Sequence, residues 1–242
     1  MIRFSVALIL AATTVCQGHE PSPAAATDRS PLGPIVGSAR ERALLEARFI
    51  GNMAFAITDG TVTVMTDFPY QSGYSVYMEY PASELRAATS STLSLITHRH
   101  GDHWEPTLFA QTGWKVAGPD DVIAGVPRDR VVPLSAKTAF GPVQIEPLTS
   151  AHANLGHYSY VVTWHGKRLY FSGDTESSET LVAANNLDVA FISPWLYQAV
   201  LRRGARVDAK RIVIYHHQTG EQIPECRERC AVPSQGETIR ID

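Results

Sequence analysis

The sequence predicts an α/β fold in which β-sheets form the core and helices pack on their outer faces. The first observation is a series of short, strand-like apolar runs along most of the chain: "FIGNMAFAI", "TVTVMTDF", "LSLITH", "WKVAG", "RVVPL", "VQIEPL", "YSYVVTW", "RLYFSG", "DVAFISP" and "RIVIYHH". The second is that the helix-patterned segments "SELRAATS", "EPTLFAQT", "SETLVAANN" and "WLYQAVLRRG" fall between these runs rather than in one block. The third is bulk: 242 residues, 44% hydrophobic and 19% charged, suit one globular domain with a sizeable core. No segment repeats at a fixed period.

Taken in order, the chain opens with "MIRFSVALILAATTVCQGHEPSP". One cation, Arg3, precedes an apolar run from Phe4 to Val15 that is too short to span a bilayer and suits the core of a signal peptide. Residues 1–18 are therefore expected to be a signal peptide cleaved after Gly18, giving a periplasmic or secreted protein. Cys16, directly after the apolar run, offers lipidation as the alternative exit and the only membrane attachment expected. Residues 19–40 predict a linker rich in Pro, Ala and Ser, and residues 41–242 a single folded domain. Within that domain "ARERALLEARF" predicts a short helix ahead of the first strand. Near the end, Cys226 and Cys230 in "PECRERCAVP" predict a local disulfide, since an oxidising compartment favours one and no further cysteine completes a thiolate metal site. The net charge of −3 gives no basic footprint, so nucleic acid is not an expected partner; if the chain is an enzyme, a small-molecule substrate is expected.

The strand "LSLITH" runs into the densest chemistry of the chain, "HRHGDH", where His98, His100 and His103 are three of nine histidines. Beyond a strand end alternate side chains point the same way, so His98 and His100 converge while Arg99 turns aside. Gly101 permits a change of direction, after which Asp102 and His103 offer a second pair of ligands aimed elsewhere. Imidazole nitrogen and carboxylate oxygen are donors for zinc, iron or manganese, and two separate sets of them imply two divalent ions.

This His-x-His-x-Asp-His run resembles the signature of the metallo-β-lactamase superfamily of metal-dependent hydrolases. "LYFSGDTES" resembles that superfamily's strand followed by Gly-Asp-Thr, whose aspartate, here Asp174, bridges both ions. "IVIYHHQTGE" resembles the terminal strand that delivers the last histidine, and "FAITDGTVTVMTDFP" the opening hairpin, ending at Asp67, which would support a ligand histidine. The resemblance spans roughly residues 48–220 and implies a four-layer αββα sandwich with the ligands on loops at one edge. It further implies His98, His100 and His152 on one ion, Asp102, His103 and His216 on the other, and Asp174 between them.

Two of these choices have competitors. His152 follows "VQIEPLTSA", as in relatives resembling ascorbate-phosphate lactonases and the N-acyl phosphatidylethanolamine phospholipase D, whereas His157 already opens the next strand and is left to line the pocket. His216, with Thr219 three residues on, is preferred to His217. Asp67 competes with a plain turn aspartate, and Thr175 with a helix cap. Trp104 and Trp195 are either pocket wall or core, and His19 and His165 are expected on the surface.

The implied activity is hydrolysis of an ester, lactone or phosphodiester by a water activated between two ions, with Asp102 and Asp174 as catalytic carboxylates. A β-lactam hydrolase of the same fold, a tRNA-processing nuclease and a non-catalytic metal-binding or sensing module are the alternatives. The loop "DFPYQSGYSVYMEYP", carrying Tyr70, Tyr74, Tyr77 and Tyr80, is expected to wall the substrate site.

Overall fold

The strand-like runs form two mixed sheets, seen in a computed structural model that describes residues 44–86, 91–218, 220–223 and 229–242. The first sheet contains β1 (Leu45–Gly51), β2 (Ala54–Thr58), β3 (Val62–Thr66), β4 (Ser91–Leu95), β5 (Lys115–Ala117) and β13 (Thr238–Ile241), in the order β13-β1-β2-β3-β4-β5. The second contains β6 (Thr138–Phe140), β7 (Val143–Thr149), β8 (Tyr158–Trp164), β9 (Lys167–Phe171), β10 (Leu187–Ile192), β11 (Ala209–Ile214) and β12 (Cys230–Ala231), in the order β12-β11-β10-β9-β8-β7-β6. Each sheet changes direction part-way. Antiparallel pairing joins β13 to β3 in the first and β6 to β9 in the second, and parallel pairing carries on from β3 to β5 and from β9 to β12.

Three apolar layers hold these sheets. Between them, Phe49, Phe55, Val64 and Leu95 of the first sheet meet Tyr160, Leu169, Phe171 and Phe191 of the second. Phe55 packs edge-on to Phe191 with ring centroids 4.8 Å apart, and Phe191 stacks on Phe171 at 4.8 Å. Outside the second sheet, Tyr170, Ala190, Ile192 and Ile214 lie against α3 (Glu179–Ala183) and α4 (Pro194–Arg202) through Leu181, Leu196 and Val200. Outside the first, Met65, Phe68, Ile96 and Val116 lie against Phe109 of α1 (Pro106–Ala110) and Val122 of α2 (Asp120–Ile123). The result is an αββα sandwich. Because both faces of the central strands are covered, β3 and most of β4, β8 and β10 are buried along nearly their whole length, which explains their continuous rather than alternating apolar runs.

Some expectations are corrected. Residues 45–49 of the expected helix "ARERALLEARF" are strand: Leu45, Ala47 and Phe49 are buried on one side, a period of two that outweighs the helix propensity of Leu and Ala. "RVVPL" contributes one isolated bridge, Val131 to Val116, because Pro133 cannot donate to a ladder. The expected signal peptide, the linker, Cys16, Thr219 and Cys226 lie outside the described residues; Cys230 is disulfide-bonded.

Candidate metal centre

Loops from both sheets meet at one edge of the sandwich. Parallel β3, β4, β9 and β11 all end there, as do the β1–β2 turn and the β7–β8 connection, so residues far apart in sequence converge. Hydrogen bonds between the sheets at this edge include Tyr160 Oη to the Ile96 carbonyl at 2.7 Å and the Tyr158 amide to the Thr97 carbonyl at 3.0 Å.

Two groups of donor atoms result. His98, His100, His152 and Asp174 form one, and Asp102, His103 and His216 the other, each with donor atoms within 4.8 Å of one another. In the first, His100 Nδ1 lies 2.9 Å from His98 Nε2 and 3.3 Å from His152 Nε2. Asp174 Oδ2 stands 4.0 Å from His98 Nε2 and 3.9 Å from His152 Nε2. In the second, Asp102 Oδ2 is 3.5 Å from His103 Nε2 and 3.4 Å from His216 Nε2. Asp174 reaches this group too, with Oδ2 3.3 Å from His103 Nε2 and Oδ1 3.5 Å from His216 Nε2.

These residues fit divalent ions. Nitrogen and oxygen ligands about 2.0–2.1 Å from a tetrahedral ion stand about 3.3–3.4 Å from one another, the spacing of the second group. His103 Nε2, His216 Nε2 and Asp174 Oδ1 are buried without a hydrogen-bond partner, a costly arrangement that a cation among them would relieve. Ionisation agrees. Burial pushes the Asp102 and Asp174 carboxyls up, but the neighbouring His103 and His216 outweigh it and hold both below the usual carboxylate range. Burial, reinforced by neighbouring imidazoles, pushes His98 and His152 down and keeps them neutral. Burial also pushes His103 down, but the nearby carboxylates of Asp174, Asp102 and Asp67 outweigh it and raise it well above the usual value. A cation would take the place of that proton.

Behind the donors, Asp67 is buried at φ 43°, accepting from the Thr97 amide at 2.7 Å and Thr97 Oγ1 at 3.0 Å while its Oδ2 lies 3.3 Å from His103 Nδ1. It therefore faces the candidate donor His103 and is more than a plain turn aspartate. His157 is not among the donors: its Nε2 accepts from the Asp174 amide at 3.0 Å and its Nδ1 bonds Ser150 Oγ at 2.8 Å. His217 is half-buried and belongs to neither group. Thr175 Oγ1 donates to the Ala151 carbonyl, and α3 begins only at Glu179, so Thr175 ties the Asp174 loop to the His152 loop instead of capping a helix. Trp104 is core, 4% exposed and packed on Phe109, whereas Trp195 lies edge-on to the His216 ring at 5.1 Å. His165, one-third exposed, pairs with Asp59 at 2.8 Å.

Sequence reading missed Asn52, Ser150 and Ser159, all buried around these donors. For Asn52 a signal existed, since Gly-Asn inside "FIGNMAFAI" marks a turn rather than strand interior.

No protein-family model matches the chain. It is similar to a UPF0173 metal-dependent hydrolase of Deinococcus radiodurans, 28% identical over 165 residues, covering 62% of this chain and 71% of that protein. A protein of the same name from Thermococcus onnurineus is 25% identical over 158 residues, covering 60% and 67%. Among solved structures, a metallo hydrolase from Ignicoccus hospitalis superimposes with a TM-score of 0.63 at 16% identity, over 82% of this chain and 99% of that one. A metallo-β-lactamase fold protein of Bacillus subtilis gives 0.59 at 12%, over 82% and 99%. At these identities the structures speak for the fold.

Proposed function

We propose that this chain, similar to UPF0173 metal-dependent hydrolases and sharing the fold of metallo-β-lactamase proteins, is an exported metal-dependent hydrolase of that superfamily, working with two divalent ions on an ester, lactone or phosphodiester. The observation that carries the two-ion reading is Asp174, whose carboxylate faces both donor groups at once. Divalent ions bound there would supply Lewis acidity, which in zinc sites brings the pKa of water from about 15.7 to about 7. The chain's own residues do the rest. His98, His100 and His152 would hold one ion, and Asp102, His103 and His216 the other. Asp67 keeps His103 oriented, which fixes which nitrogen faces the centre. Asp102, held ionised by His103 and His216 and facing the same space through Oδ2, would bring negative charge to the second ion. The apolar leader supports export.

The surroundings support a substrate with an apolar portion. Tyr74 and Val76 are 56% and 74% exposed on the loop after β3, and the Tyr74 ring lies 6.4 Å from that of His216, which Trp195 also flanks. On the other side a groove of about 670 Å³ opens beside His152, lined by Asn154, Glu176 and Ser177 among others. A panel of p-nitrophenyl esters, a lactone and bis(p-nitrophenyl) phosphate, run with and without chelator, tests this reading. Chelator-sensitive turnover of an ester, lactone or phosphodiester is expected, with ester rates rising with acyl length by about fourfold per methylene while the site fills. Nitrocefin turnover matching the best of them would instead favour a β-lactam substrate.

A further inference from the structure

Asn52 occupies the β1–β2 turn at φ 51°, a left-handed conformation asparagine tolerates better than most non-glycine residues. It is 3% exposed, and its polar groups are turned toward the metal centre and the loop beside it. Nδ2 donates to the Asp102 carbonyl at 2.7 Å and reaches Asp102 Oδ2 at 3.5 Å. Its carbonyl accepts the His216 amide at 2.8 Å, and its own amide faces Met78 Sδ at 3.1 Å. The oxygen that Nδ2 approaches, Asp102 Oδ2, is the one standing 3.5 Å from His103 Nε2 and 3.4 Å from His216 Nε2. One residue thus touches two of the three members of the second donor group, and the third, His103, follows Asp102 directly. Among the described residues it makes no hydrogen bond to His98, His100 or His152.

We propose that Asn52 is a positioning residue for the second ion, holding Asp102 and His216 at the spacing a tetrahedral site requires. This rests on the two-ion reading above. A turn residue needs only to tolerate the left-handed backbone, and glycine does that better; the side-chain amide, buried and spanning both acceptors of Asp102, is what the turn alone leaves unexplained. Without it the Asp102 carboxylate loses a contact that fixes its rotamer, and the ion must bear the cost of ordering it. Such outer contacts are worth about 10–100-fold in metal affinity.

Asn52→Gly keeps the backbone geometry and the main-chain bonds to His216 and Met78 while deleting Nδ2. Asn52→Asp keeps the size but turns an acceptor toward the Asp102 carbonyl. The metal-free full chain and both variants are titrated with zinc against a chromophoric chelator. Wild type should show two binding steps. In each variant one step should stay at wild-type affinity and the other weaken about 10–100-fold, more for Asp than for Gly. A merely structural role would lower the melting temperature of the metal-free protein without separating the two steps. Two unchanged steps in both variants, or parallel weakening of both, would overturn the proposal while leaving the two-ion reading intact. Fewer than two steps in the wild type would sink that reading, and this one with it.

Discussion

The backbone amide of Asp174 donates to Nε2 of His157 at 3.0 Å, and this one bond decides what His157 can do. With Nε2 accepting, the ring proton sits on Nδ1 and is donated to Ser150 Oγ at 2.8 Å. Ser150 in turn donates to Ser159 Oγ at 3.0 Å, and Ser159 Oγ to the Ser172 carbonyl at 2.8 Å. The chain of bonds begins and ends on the same turn, Ser172-Gly173-Asp174, so His157 clamps the shared carboxylate in place and has no nitrogen left for an ion. Burial, helped by the neighbouring His152, pushes its pKa down to about 3, which keeps it in this neutral form.

That clamp leaves no room at Gly173. Its φ is +58°, and a Cβ there would come within 2.4 Å of His157 Nε2 and 2.8 Å of Thr97 Cβ. Gly173→Ala is expected to displace the His157 ring and Asp174 together, lowering zinc affinity by at least about tenfold and stability by about 1–3 kcal/mol. Zinc titration and thermal melts check this; unchanged affinity would mean that the turn is not what places Asp174.

Asp67→Asn removes the charge that faces His103 Nδ1 while retaining the shape of the side chain. The expected outcome is a loss of about 10–100-fold in metal affinity or in kcat/KM, with most of the fold stability retained. Activity equal to wild type at limiting zinc would show that His103 needs no such partner.

The adjacent histidines give a sharp comparison. His216 lies in the second donor group with its main-chain amide bonded to Asn52, whereas His217 lies outside both groups. His216→Ala should lose tight binding of one ion, and His217→Ala should retain both. Elemental analysis after dialysis separates the two, and the reverse pattern would reassign the ligand.

Far from this edge, Asp59 in the β2–β3 turn accepts from the Thr61 and Val62 amides at 2.8 and 2.9 Å and pairs with His165 of the β8–β9 turn, linking the two sheets. Burial pushes its carboxyl up, but the bonds from Val62, His165 and Thr61 outweigh it and hold it well below the usual range. Because the folded-state value lies below the unfolded value of about 3.9, the stabilisation is complete above roughly pH 4 and is lost as pH falls toward the folded value. Asp59→Asn should therefore lower the melting temperature at pH 7 by about 4–8 °C, for a loss of about 2 kcal/mol. The gap should narrow as pH falls below about 4; a gap constant with pH would contradict the assignment.

What could be read from the sequence divides along physical lines. The burial of strands such as "YSYVVTW" and "DVAFISP" needs apolar runs, which are visible directly. The candidate donors of "HRHGDH" follow from local spacing after a strand. Asp174, His152 and His216 came through resemblance alone, because nothing local says that three strand ends meet. Asn52, Ser150 and Ser159 are polar residues whose importance lies in partners 50, 7 and 13 residues away, so only the folded chain reveals them. Residues 45–49 failed for the opposite reason, since local propensity favoured a helix until pairing with β13 and β2 imposed a strand.

The count of divalent ions held per chain by wild type and by Asp174→Asn, each loaded with zinc and then freed of excess metal, tests the shared-carboxylate centre most directly. About two ions in the wild type and fewer than one in the variant are predicted, because one side chain serves both groups. A wild type that retains no ion, or a variant that still holds two, would contradict it.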